Sequence, residues 1–179
     1  MIAILITIMV LELHVPEGTD FEALQQLGPT LAAYVVSFLY LGIYWNNHHH
    51  LLHVSKVVDA RVMWSNLLLL FWLSLVPFGT SWMRGSDFAV LPTALYGFVL
   101  LCAALAYYIL VRALIHAPGQ PATLAAAIGS DAKGKLSIVT YAAGMALAVL
   151  APLAAFALYA LVALLWLVPD RRIERALDR

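Results

Sequence analysis

The run MIAILITIMVLEL, Met1 to Leu13, decides how this chain is read. A helix that crosses a bilayer needs about 20 apolar residues. This run meets Glu12, His14 and Pro16 after little more than half of that length. Its helical face is nonetheless clean. Ile4, Thr7, Ile8 and Leu11 stand at i, i+3, i+4 and i+7, so they share one side of the helix. One hydroxyl on an otherwise apolar face is the feature to follow.

The rest of the composition agrees with a membrane. The chain is 64% hydrophobic and 11% charged, with a mean hydropathy of +0.91. Soluble domains are about 45–50% apolar and about 25% charged. The expectation is an all-α integral membrane protein without a large soluble domain. A net charge of +0 points to no nucleic acid and no acidic partner. The single cysteine, Cys102, lies in an apolar run and cannot form an intrachain disulfide. Met1 to Pro16 shows neither a basic start nor a small-residue cleavage site, so it is not read as a secretory signal.

Six spans are expected, at about 1–13, 30–53, 62–83, 88–115, 136–150 and 152–168, forming one transmembrane domain over 1–179 with a charged tail at 169–179. The first span is expected to be truncated at its N-terminus. The stretch from Leu136 to Val168 is too long for one crossing, and Pro152 opens a second helix within it. Pro77 is expected to kink or end the third span. With both ends cytoplasmic, nine of the ten basic residues face inward and Arg84 alone faces out, as the positive-inside rule requires. The acidic connector with Glu17, Asp20 and Glu22 then lies on the outer side, read first as an ordinary solvated loop.

No Asp, Glu, Lys or Arg sits near the middle of the second to sixth spans, which speaks against an ion-coupled carrier. The conspicuous polar cluster is Trp45-Asn46-Asn47-His48-His49-His50, with His53 beyond. His49 and His53 at i, i+4 have a spacing used for zinc, but His14 and His116 are isolated, so no metal and no catalytic residue are assigned. The cluster is read as hydrogen bonding at one helix end. Asn66 is its expected partner across helices, in a contact worth about 1 kcal/mol.

These residues resemble a known family. IAILITIMVLELHVP is similar to the first helix of bacterial members of the transmembrane protein 175 family. SFLYLGIYWNNHHHLLH is similar to the second, with Trp45, Asn47, His48 and His49 in matching places. WSNLLLLFWLSLVPF, with Trp64, Asn66, Pro77 and Phe78, is similar to the third, and ALYALVALLWLVPDRR to the end of the chain. The resemblance implies a potassium-permeable cation channel, not an enzyme. It implies a homotetramer in the cell membrane, with no cofactor beyond permeant potassium and with monovalent cations and lipid as partners. Ile4, Ile8 and Leu11 would form the pore constriction. Thr7 would contact the ion for selectivity, and Trp45, Asn47, His48, His49 and Asn66 would form an interhelical polar network. The family pattern also carries an Arg and a Phe-Ser-Asp just upstream of the run, which this sequence does not show, so a start placed too far downstream is expected. The alternative class is a small-solute or ion-coupled transporter.

Overall fold

The computed structural model describes residues 1–11, 13, 18–54, 58–118 and 132–167. Among these the chain is helical throughout, without strands. The helices are α1 (Ile2–Leu11), α2 (Phe21–Gln26), α3 (Gly28–Val54), α4 (Ala60–Ser74), α5 (Val76–Gly85), α6 (Val90–Ile115), α7 (Ala132–Ala148) and α8 (Pro152–Leu167). Three stretches are long and apolar enough to cross a membrane: Gly28–His53, Ala60–Gly85 and Val90–Ile115, each of 26 residues. In hydrocarbon the helix is favoured because every backbone N–H and C=O must find its partner within the segment.

Local chemistry sets the ends of these rods. Asp59 caps α4 by accepting a hydrogen bond from the Val62 N–H at 2.9 Å, which satisfies one of the donors left open by the first turn. The stretch Ala60–Gly85 is broken at Leu75, and α5 resumes at Val76 with Pro77 in its first turn, where a missing N–H costs nothing. The same logic places Pro152 at the first position of α8, after a turn at 149–150. The short α2, inside the acidic connector, was not anticipated from sequence. Six residues carry too little periodicity to announce a helix. Glu17, Lys56, the segment 119–131 and the charged tail at 169–179 lie outside the described residues.

The rod α6 is central, packing against α4, α5, α7 and α8. In contrast α1 lies at one side, against α3, α4 and α5. Hydroxyls bind these rods together. The Ser37 hydroxyl on α3 lies 2.7 Å from that of Thr80 on α5 and 2.8 Å from that of Tyr96 on α6. Tyr40 on α3 donates to the Tyr159 carbonyl on α8, and Trp166 on α8 donates to Ser137 on α7 at 2.8 Å. Close approach of α8 needs two glycines. A Cβ at Gly97 would fall on the Tyr159 hydroxyl and one at Gly144 on the Tyr159 ring edge. Small residues let membrane helices approach where lipid supplies no hydrophobic drive.

Gly97→Ala and Gly144→Ala are each expected to destabilise the bundle by about 1–3 kcal/mol, the usual cost of overpacking. The check is the melting temperature in detergent. Tyr159→Phe is expected to be neutral or slightly stabilising, because the buried Tyr159 hydroxyl has no hydrogen-bond partner among the described residues.

Candidate functional site

Two faces of α1 differ sharply in surroundings. Ile2, Leu5 and Met9 are buried against the bundle. Ile4, Ile8 and Leu11 are 59%, 41% and 79% exposed, and Thr7 is exposed between them. The face picked out by spacing is thus the face turned away from the chain's own core. Its apolar side chains are largely uncovered by the described residues, and α1 spans 10 residues.

Thr7 has a defined hydroxyl geometry. Its Oγ1 donates to the Ile4 carbonyl at 2.7 Å, a back-bond common for threonine in helices. With the proton committed to the backbone, the oxygen presents lone pairs to whatever lies in front of the face. An electron-rich oxygen of this kind suits a cation or the water that hydrates it.

An open groove of about 640 Å³ runs beside this face. Leu5 and Ile8 form one wall, and Pro77, Phe78 and Trp82 of α5 the other, with Ser74 and Ser81 as its polar members. Pro77 therefore contributes twice, by restarting the helix and by shaping the wall next to α1.

The polar residues at the far end of α3 separate into three settings. His48 Nε2 lies 2.6 Å from Asn66 Oδ1, joining α3 to α4. Trp45 and His49 stack with ring centroids 5.8 Å apart, and His49 stacks in turn on His53 at 6.1 Å, along the outer surface of α3. Asn47 faces elsewhere, into a cavity of about 30 Å³ between α3, α6 and α7, among Tyr44, Tyr107, Ser137 and Tyr141. One or two water molecules fill such a volume. The structure brings His48 and Asn66 together but sets Asn47 apart from them, because successive residues of a helix point about 100° apart. Among the described residues no group of three or more His, Cys, Asp or Glu is arranged to hold a metal ion.

Sequence reasoning missed the tyrosines and hydroxyls of the interior. Tyr40, Tyr96, Tyr141 and Tyr159 are buried, as are Ser37, Thr80 and Thr93. The available signal was Tyr40 and Tyr44 at i, i+4 on α3, which puts two phenol rings on one face of a helix otherwise suited to lipid.

Comparison with known proteins follows the same lines. The family model described as endosomal/lysosomal potassium channel TMEM175 matches residues 1–77. A protein named as a potassium channel from Chryseobacterium sp. (strain P1-3) is 49% identical over 176 residues, covering 98% of this chain and 92% of that protein. Another so named, from Streptomyces collinus, is 37% identical over 113 residues, covering 59% of this chain and 55% of the other. The fold is similar to the crystal structure of a lysosomal potassium-selective channel TMEM175 homolog from Chamaesiphon minutus, with a TM-score of 0.79 at 23% identity, over 93% of this chain and 90% of that one.

The His48–Asn66 contact generates a prediction of its own. His48→Ala and Asn66→Ala are each expected to cost about 1–3 kcal/mol, since each leaves a part-buried partner unpaired. The double variant is expected to cost less than the sum. Additive losses in a double-mutant cycle of detergent melting would mean that the contact contributes nothing.

Proposed function

Because the chain belongs to the TMEM175 family of potassium channels, we propose that its first helix lines the pore and that copies of Ile4, Ile8 and Leu11 close it. The protein is a membrane channel rather than an enzyme. Four copies around one axis would bring four α1 faces together. The observation that carries this reading is the exposed apolar face of α1, on which a single hydroxyl has its proton already committed.

Such a face has two physical outlets, lipid or another copy of itself. A lipid-facing surface gains nothing from a hydroxyl. Around a pore the hydroxyl gains a cation, and the apolar rings gain a function. Rings of Ile and Leu resist wetting, so they block ions before they meet sterically. Widening the rings admits water and a partly hydrated ion. Four Thr7 oxygens, one turn from Ile4 and Leu11, then replace part of the hydration shell. The open groove beside Ile8 offers room for a neighbouring copy in the tetramer.

The charge distribution supports a placement in the cell membrane with both termini cytoplasmic. Arg61, Arg112, Lys133 and Lys135 fall at one set of helix ends, and Arg84 at the other. His48 and Asn66, at the basic end, tie α3 to α4 and so brace the side of the bundle on which α1 rests.

In reconstituted vesicles, Ile4→Asn and Ile8→Asn are expected to raise potassium flux at rest, because a polar ring wets more readily than an apolar one. Unchanged flux in both would move the constriction elsewhere. Thr7→Ala is expected to shift the reversal potential measured between potassium and sodium, and an unchanged value would remove Thr7 from ion contact. Cross-linking to a species of four copies tests the assembly.

A further inference from the structure

Arg84 stands apart from the other described basic residues. Arg61 opens α4, Arg112 closes α6, and Lys133 and Lys135 open α7, so all four lie at one end of the bundle. Arg84 lies in the last turn of α5, at the opposite end. There it walls a small cavity of about 10 Å³ whose other side is formed by Met9 and Leu13, at the close of the first helix. Arg84 therefore lies beside the C-terminal end of α1, on the Met9 side of that helix, with Leu11 at the same end on the opposite face.

The backbone after it forms a closed turn. Asp87 and Phe88, in the turn that follows α5, have φ of 50° and 57°, a left-handed conformation uncommon for residues other than glycine. The turn is closed by the Phe88 N–H donating to the Met83 carbonyl at 2.9 Å and the Asp87 N–H donating to the Arg84 carbonyl at 3.1 Å. The Phe88 ring is anchored on Phe156, with centroids 5.1 Å apart. Arg84 also has a side-chain or electrostatic contact of its own. The exposed carboxylates at this end of the bundle include Asp20, Glu22 and Asp87, so Arg84 is a positive charge set among negative ones.

Resting on the reading of α1 as the pore helix, we propose that Arg84 sets the charge at one pore mouth. Its guanidinium lowers the local concentration of potassium at the Leu11 end of α1, and so limits the current that enters there. The four copies act together through solvent. A pairing of Arg84 with a neighbouring carboxylate leaves this unchanged, since removing the arginine still makes the mouth one unit more negative per subunit. Long-range charge of this kind acts on cation concentration and not on the choice between potassium and sodium.

The test is current through the full-length channel in planar bilayers, with Arg84→Gln and Arg84→Lys compared with the parent at several salt concentrations. The current entering from the Arg84 side is expected to rise about twofold for Arg84→Gln in 0.15 M potassium chloride, and by more than about threefold in 0.01 M, where the screening length grows from about 8 Å to about 30 Å. At 1 M the two currents converge. Arg84→Lys, which keeps the charge, behaves as the parent. A change in Arg84→Gln that is the same at every salt concentration overturns the proposal, as does an Arg84→Lys channel altered as much as Arg84→Gln.

A second route reads the same charge within one assembled channel. Arg84→Cys is made with Cys102→Ala, then treated with a thiol reagent carrying trimethylammonium or with a neutral reagent of similar size. The cationic reagent is expected to return the current to the parent level and the neutral one to leave it raised. Equal effects of the two overturn the assignment. If the parent channel passes no potassium, or Ile4→Asn and Ile8→Asn both leave flux unchanged, the pore reading fails and this proposal falls with it. If those hold and the salt-dependent rise is absent, the Arg84 assignment alone fails.

Discussion

One serine holds three helices in register. The Ser37 hydroxyl on α3 meets Thr80 on α5 and Tyr96 on α6, and all three residues are buried. Between membrane helices there is no hydrophobic gain to be had, because lipid tails are as apolar as leucine. Association then rests on close packing and on polar groups that find no water. Ser37 supplies the second, and Gly97 and Gly144, which admit the Tyr159 ring, supply the first. Shift α3 along its axis by one turn and the Ser37 contacts are lost together with the Tyr40 bond to α8.

The position of α1 depends on that register. This helix has only 10 residues and rests on α3, α4 and α5. Ser37 and Thr80 join α3 to α5 in the N-terminal half of α3, and His48 and Asn66 join α3 to α4 near its other end. The first helix thus lies on a platform pinned at two heights. Its buried side is set by that platform, and the side carrying Ile4, Thr7, Ile8 and Leu11 is what remains. A helix this short has to borrow rigidity from its longer neighbours. The same platform fixes Pro77 beside the middle of α1 and Arg84 beside its C-terminal end.

Much of this was legible in residue order. The periodicity of Ile4, Thr7, Ile8 and Leu11 identified one face, because a 3.6-residue repeat is a property of the helix itself. Pro152 announced the break before α8, since proline lacks the N–H that an interior position needs. Residue type suggested the histidine and asparagine cluster of α3 as the partner of Asn66, because polar side chains near the same membrane depth pair with one another, and the structure selects His48. Other features were illegible for equally physical reasons. The short α2 is a local adjustment with no periodic signature, whereas Pro77 marked the break at Leu75. The split between Asn47 and His48 follows from helix rotation against neighbours whose positions the sequence does not state.

Taken alone, the sequence determined that this is a helical membrane protein, where its helices break, and which side of the first helix is of one kind. These follow from hydrophobicity, proline geometry and helical pitch, which act over a few residues. Only the tertiary structure decided which side of α1 is buried, which hydroxyls meet across Ser37, and which end of α1 Arg84 stands beside. Those depend on contacts between residues 43 and 59 positions apart along the chain, as with Ser37 and its two partners. Contacts over such separations are chosen by packing of whole helices. No local rule encodes them, and the exposed face of α1 acquires its meaning from that packing.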